Sequence, residues 1–503
     1  MRRYRPMLIT LLIVGAGLLG AEAKTYDIRR SGAIGDGVTV NTGAIQKAID
    51  SCAATGGTVY VPQGIYLTGT LVLKSNVTLH IAAGATLLGH TSPSAYPYQD
   101  PGIPFYGGDW AKQALIFCKG QENVAIEGRG TIDGQGSAFV TTTLKKPDRY
   151  RNRPYLLWFA GCKDVSVTGV HLRNSAFWMQ HYLGCERVRI DGVDIWNHSN
   201  KNNDMIDIDG CRNVMISNVT GDSDDDGITI KSSSPGVSEF ITITNCILSS
   251  HCNAIKFGTE STGGFRNITI SNCVVRPSAQ TKTIYGRPAG IAGLALEMVD
   301  GGIMENVAIS NLVIEGPEVP IFIRLGNRAR KYVETAAVPG PGQLRDLRIS
   351  NVVARGSSNI GCSITGIKSA RVERISLSDI TVESAGGGTR ADFRPLSDEK
   401  EDSYPEATMF GKLPAYGFYI SHAEEVHLSG IRLTTKTTDA RPAVYWSDTR
   451  GFSLTGLSVP AGSSTSGPVV AVRESTGGFL SQGGLPAKFL DVDKTSKGIR
   501  TGQ

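Results

Sequence analysis

The chain has 503 residues, of which 40% are apolar and 19% charged, with a formal charge of +5. That length exceeds one ordinary compact core, so the chain is either two or three domains or one repeating stack. The near-balance of charge does not favour nucleic acid, for which a strong basic stripe would be expected, and permits an anionic sugar polymer held by a few local cations.

The chain opens with Arg2, Arg3 and Arg5, then an apolar run from Met7 to Leu19, then Ala21, Glu22 and Ala23. The run is shorter than the roughly 20 residues that span a bilayer, and the small residues after it fit a signal-peptidase site. Residues 1–23 therefore read as a signal peptide, and the expected destination is secreted or periplasmic. Its removal leaves 48 basic and 45 acidic residues, a formal charge of +3. No second apolar span follows, so no membrane partner is expected after cleavage.

In the segment Asn41 to Gly57 (NTGAIQKAIDSCAATGG), Ala44, Ile45, Ala48 and Ile49 mark one helical face. Asn41 or Thr42 is placed to cap the start of that helix. A short amphipathic helix here would plug the open end of a solenoid.

From about residue 75 one phrase recurs: a turn, an Asn or similar polar residue, then alternating β-branched residues. Copies include SNVTLHI, ENVAIEG, GCKDVSVTGV, GCERVRIDGV, GCRNVMISNV, GFRNITISNC and LRDLRISNV. Gly161, Gly184 and Gly210 start three copies 23 and 26 residues apart. Such short strands cannot bury an apolar face alone, so the coils must stack into one continuous core. Alternate Val, Ile and Leu point inward in this reading, and the 60 glycines serve turns that need positive φ. The nine cysteines are odd in number and contain no CxxC pair, so most read as small buried wall residues. One solenoid domain is expected over 24–480, with a charged, proline-bearing loop inserted at 386–414 and a loosely ordered tail over 481–503.

Two consecutive copies depart from what a wall strand requires. NNDMIDIDG carries Asp204, Asp207 and Asp209, and GDSDDDGITIK carries Asp222, Asp224, Asp225, Asp226 and Lys231. Coils stack about 4.8 Å apart, so carboxylates at matching places face one another and push at least one pKa upward. Catalysis, a calcium site and solvated turn aspartates all remain open on these residues alone.

The order of the motifs, Asn-x-Asp and then Asp-Asp followed by Ile-x-Ile-Lys, resembles glycoside hydrolase family 28, the polygalacturonases. The resemblance runs from Tyr26 to about residue 330 and opens with GAIGDGVTVNTGAIQKAID. It implies an all-β fold, a single-stranded right-handed parallel β-helix of the pectin-lyase-like kind with the short helix at its N-terminal end. It also implies that Asp225 protonates the glycosidic oxygen while Asp204 and Asp226 activate water, with inversion at the anomeric carbon and no metal or other cofactor. The implied substrate is an acidic, pectin-type polysaccharide or oligosaccharide, bound by a monomer.

The family's Gly-His-Gly is absent: SSHCNAIKFGTES puts Asn253 at the histidine position, with His251 two residues earlier. Its Arg-x-Lys pair is also missing, since GLALEM offers Ala295 and Glu297. Strand parity points Lys256, Glu297 and Arg324 outward, where they form either a substrate-binding ladder beside the aspartates or a surface ion-pair ladder. Trp178 and His181 stand one coil before Asp204, as a sugar-stacking wall or as rim aromatics, and Asp207 completes the expected contacts. Loops 90–112, 136–153 and 386–414 are expected to border the cleft. An exo-galacturonosidase or a rhamnogalacturonan-type hydrolase is a variant of this reading. A calcium-dependent lyase and a non-catalytic glycan-binding β-helix are the alternatives from other classes.

Overall fold

The computed structural model describes residues 24–502 apart from 144, 146, 147, 461, 464–466 and 487. The signal-peptide segment 1–23 lies outside the described residues. Strand after strand pairs in parallel with the equivalent strand one coil before and one coil after, giving a parallel β-helix. The period-two pattern explains the stack directly. Val165, Val188, Val214, Ile241, Ile268, Val307, Leu347, Ile375 and Val426 lie in register over successive coils. All are buried in one continuous core. Each such side chain contributes roughly 1.5–3 kcal/mol by leaving water, and it does so only because its neighbours above and below cover it.

Glycines take positive φ at turns as expected, with Gly161, Gly184 and Gly210 at 62°, 60° and 61°, but asparagines share the corners. Asn218, Asn245, Asn272 and Asn311 take φ of 57°, 57°, 56° and 57°, left-handed values that Asn tolerates better than other residues with a side chain. Their amides then stack: Asn311 Nδ2 donates to Asn272 Oδ1 at 3.0 Å, and Asn351 Nδ2 to Asn311 Oδ1 at 2.7 Å. Glycine would supply the φ but not the amide ladder along the helix axis. The recurring Asn of the phrase is therefore a corner residue.

The helix runs Thr42–Ala53 and buries Ile45, Ala48, Ile49 and Cys52 against the first coil. Neither Asn41 nor Thr42 caps it in the expected way. Asn41 accepts from Ile34 N at 2.7 Å and donates to the Ile34 and Thr39 carbonyls, while Thr42 Oγ1 accepts from Gly69 N at 2.7 Å. These polar groups fasten the plug to the solenoid rather than to its own first turn. All nine cysteines are buried and unpaired, as their repeat positions imply. No described helix is long and apolar enough to cross a membrane.

The described residues of 481–502 are not a loose tail. Leu490–Val492 pairs with Val470–Arg473, and Arg500–Gly502 with Phe479–Ser481, while Leu485 and Phe489 are buried. The repeat phrase is absent there because these short strands need few inward residues to close the last coil.

Truncating a mid-stack core residue should expose this dependence on neighbours. Ile241→Ala is expected to lose about 2–5 kcal/mol of unfolding free energy in urea titration. A loss well below 1 kcal/mol would mean that the stack relaxes around the cavity. Deleting 481–502 is expected to lower the thermal midpoint measurably, and an unchanged midpoint would return that segment to the status of a tail.

Candidate active site

One sheet face carries, in successive rungs, the strands Gln180–Leu183, Ile206–Asp209, Ile228–Ser232, Asn253–Ser261 and Ala292–Met298. Asp204 precedes the second and Asp225 with Asp226 precede the third, so all three stand at one edge of the face. Met205 N donates to Asp226 O at 3.0 Å and Gly227 N to Asn253 O at 2.8 Å, which locks the rungs together. A Cβ on Gly227 would meet the Ala254 carbonyl at 2.3 Å, so the close approach beside the aspartate pair demands glycine. Asp204, Asp225 and Asp226 open into one cleft of about 380 Å³, shared with Trp178, Lys231 and Lys256.

The charges in this cleft are matched within the protein. Lys231 Nζ lies 3.3 Å from Asp207, 3.5 Å from both Asp204 and Glu260, and 4.3 Å from the centre of the Trp178 ring. Burial opposes its charge, but the surrounding carboxylates hold the ammonium well above its usual range. Lys256 Nζ lies 2.9 Å from Asp226, and Asn253 adds its Nδ2 at 2.7 Å and its backbone N at 3.2 Å. Asp226 is thus an acceptor of three donors, one of them an ammonium.

Its neighbour differs. Burial and the charge of Asp226 push Asp225 up to about 6, against the pull of Lys256. Asp225 and Asp226 bring an oxygen each within 4.8 Å of one another, a separation at which two full charges in a desolvated site repel strongly. Asp204 is raised as well, by burial and then by Asp207 and Asp225. Asp207 beneath Lys231 is pushed up to about 8 by complete burial. One face therefore holds a carboxyl raised to about 6 beside one that accepts from a lysine ammonium.

The expected contact residues divide. Trp178 and Lys256 line the cleft. Asp207, Asn253 and Glu297 do not: all three are fully enclosed, Asp207 under Lys231, Asn253 behind Asp226, and Glu297 beneath Lys256 at 3.9 Å. Neither Glu297 oxygen has a hydrogen-bond partner, and burial pushes this carboxyl up to about 8. Arg324 also departs from the expected ladder. Its guanidinium turns to the Gly366 and Glu399 carbonyls, at 2.9 Å and 2.6 Å, and so anchors the 386–414 loop. His181 is buried beside Trp158 and Tyr155 with Nε2 3.0 Å from Asp209. Asp207, Glu297, Arg324 and His181 point away from the core as parity requires but are covered there by lysines or loops, whereas Asn253 shares the parity of the inward Ile255 and Phe257.

His251 belongs to a second layer. Its Nδ1 is 2.9 Å from Asp224 and its Nε2 2.9 Å from the Gln280 carbonyl. His198 Nε2 is 2.8 Å from Asp222, and Asp224 accepts the backbone N–H groups of Ile284 and Tyr285 at 2.7 Å and 2.6 Å. This cluster ties down the loop that delivers Tyr285 to the cleft wall.

All three expected loops reach the cleft, through Tyr106 and Trp110, Arg149 and Tyr150, and Tyr404. Sequence reasoning missed Glu260, Tyr285 and Arg330. Glu260 left one signal, its place on the strand that bears Lys256, one rung after the aspartate pair. Tyr285 and Arg330 left none, since loops carry no repeat.

Residues 52–394 match Glycosyl hydrolases family 28. The chain belongs to that family. It is a glycoside hydrolase of the polygalacturonase-like kind. A probable polygalacturonase of Vitis vinifera is 26% identical over 424 residues, covering 79% of this chain and 82% of that protein. An exo-poly-alpha-D-galacturonosidase of Dickeya chrysanthemi is 26% identical over 408 residues, and the match spans 69% of this chain and 65% of the relative. The fold is that of the family 28 exopolygalacturonase of Yersinia enterocolitica, with a TM-score of 0.64 at 21% identity over 93% of this chain and 80% of that one.

The second layer should titrate. Burial alone would lower the His198 imidazole, but the hydrogen bonds and charges of Asp222 and Asp224 outweigh it and raise the pKa. A raised histidine stabilises fully below its unfolded value of about 6.5 and loses that stabilisation as pH rises through the folded value. The difference in thermal midpoint between wild type and His198→Asn is therefore expected to be largest at acid pH and to shrink at alkaline pH. A difference constant from pH 5 to 9 would remove the ion pair from the account.

Proposed function

We propose that this family 28 hydrolase cleaves α-galacturonosidic linkages of pectic galacturonan from a chain end, by a single inverting displacement. The observation that carries the reading is the convergence of Asp204, Asp225 and Asp226 from adjacent rungs on one walled pocket. Asp225, whose carboxyl is pushed up to about 6, gives its proton to the glycosidic oxygen as the bond to the anomeric carbon breaks. Asp226, fixed by Lys256 and Asn253, takes a proton from the attacking water, and Asp204 orients that water from the neighbouring rung. The water oxygen ends on the anomeric carbon with inverted configuration.

The walls support action at a chain end. The Arg330 guanidinium lies 3.4 Å over the Tyr106 ring, Trp110 stacks on Tyr150 at 4.3 Å, and the Tyr404 hydroxyl meets Lys256 at 3.2 Å. Loops from four parts of the chain thus enclose the pocket, which lies at the small end of the range for ligand sites. The exo-acting names of the Dickeya and Yersinia relatives point the same way. Export through the N-terminal signal and action as a monomer outside the cytoplasm complete the proposal.

Homogalacturonan, rhamnogalacturonan and their oligomers, with products followed by NMR, test the whole reading. Small products from the first minutes, a β-configured new reducing end, slow loss of viscosity and activity that survives chelation are expected. Unsaturated products absorbing in the ultraviolet would mean elimination, and turnover confined to rhamnogalacturonan would transfer the enzyme to that substrate.

Asp225→Asn is expected to lower kcat by about 10²–10⁴-fold. In the wild type kcat/KM should fall as pH rises through about 6, because the acid loses its proton there. A rate that keeps rising above pH 7 would take the acid role from Asp225.

A further inference from the structure

Four cations line the cleft: Arg149, Lys231, Lys256 and Arg330. Three of them are spent inside the protein. Lys231 serves Asp204, Asp207 and Glu260, Lys256 holds Asp226, and Arg330 Nη2 meets Glu260 at 2.6 Å. Drawing Lys231 or Lys256 to an incoming carboxylate would leave a buried anion unpaired, which is strongly unfavourable, and drawing Arg330 away would take from buried Glu260 its nearer partner. Among the described residues Arg149 is the one cation of the four with no carboxylate partner, and its Nε is buried without any hydrogen bond.

Arg149 is nevertheless held in place. It lies in the short 3₁₀ turn Asp148–Tyr150, and its guanidinium packs 4.7 Å from the centre of the Tyr150 ring, itself stacked on Trp110. Its carbonyl accepts from Arg153 Nη1 at 3.1 Å, and the buried Arg153 packs over Phe177. A planar guanidinium fixed against an aromatic face and lacking an internal anion is a prepared receptor for a planar carboxylate.

We propose that Arg149 binds the carboxylate of the uronate substrate, replacing the Arg-x-Lys pair whose positions are taken here by Ala295 and Glu297. The inference rests on the galacturonan reading above. It moves carboxylate recognition from a rung after the acid pair to a loop before it. It also explains how a site with an enclosed, hydrogen-bond-free Glu297 in place of the lysine of that pair accepts an acidic sugar.

The experiment compares wild type, Arg149→Ala and Arg149→Lys on oligogalacturonates and on their methyl esters, with thermal melts confirming equal folding. Arg149→Ala is expected to raise KM for the free acid by about 10- to 100-fold, the worth of a charge-assisted hydrogen bond, with kcat changed by less than about threefold. The effect should vanish on the ester, and Arg149→Lys should fall between. As a second readout, Asp225→Asn protein should bind galacturonate more tightly than galactose, and adding Arg149→Ala should abolish that preference. Wild-type turnover of oligogalacturonate with KM unaffected by Arg149→Ala overturns the inference alone. Absence of wild-type turnover on any galacturonan overturns the function and the inference together.

Discussion

Everything chemical in this protein depends on parallel, in-register stacking of adjacent coils. The stack fixes the interval between rungs at about 4.8 Å, and side chains at matching places have no freedom to separate. Asp207 faces Thr229, Thr229 faces Lys256, and Lys256 faces Ala295 because the strands pair in that register. Carboxylates placed on such a lattice are forced into one another's field. Two buried ammonium groups keep the arrangement from flying apart, and the imbalance that remains sets Asp225 apart from Asp226.

The lattice is built from inexpensive parts. Inward Val, Ile and Leu supply the cohesion, and Asn corners turn the chain and bond along the axis. Nothing in that machinery distinguishes one rung from another, which leaves the outward positions free to carry function. The acidic pair sits beside Gly227, where the next rung comes too close for any side chain. Local backbone geometry and the placement of the acidic pair are therefore one constraint at that point.

Loops convert a regular face into a specific site. Arg324 shows how: an outward arginine on a strand becomes the anchor of the 386–414 insertion, which then places Tyr404 against Lys256. The Asp222–Asp224–His198–His251 layer does the same for the loop bearing Tyr285. The residues that give the cleft its walls thus sit far apart in the chain and meet only over the finished sheet.

The sequence by itself determined the solenoid, because the period-two pattern and the repeat interval admit no other way to bury the apolar residues. The spacing of the two acidic motifs relative to the repeat put their carboxylates on neighbouring rungs, the resemblance to family 28 singled out Asp204, Asp225 and Asp226 among them, and the breaks in the repeat marked the three loops that border them. Parity told which side chains leave the core, but not which of them reach solvent: Asp207, Glu297, His181 and Arg324 all point outward and all end enclosed. Only the tertiary structure decided that, since enclosure depends on loops whose paths follow no repeat. The same holds for Arg149, which sits in an unpatterned turn, and its lack of an internal partner emerges only when every other charge around the pocket has found its own.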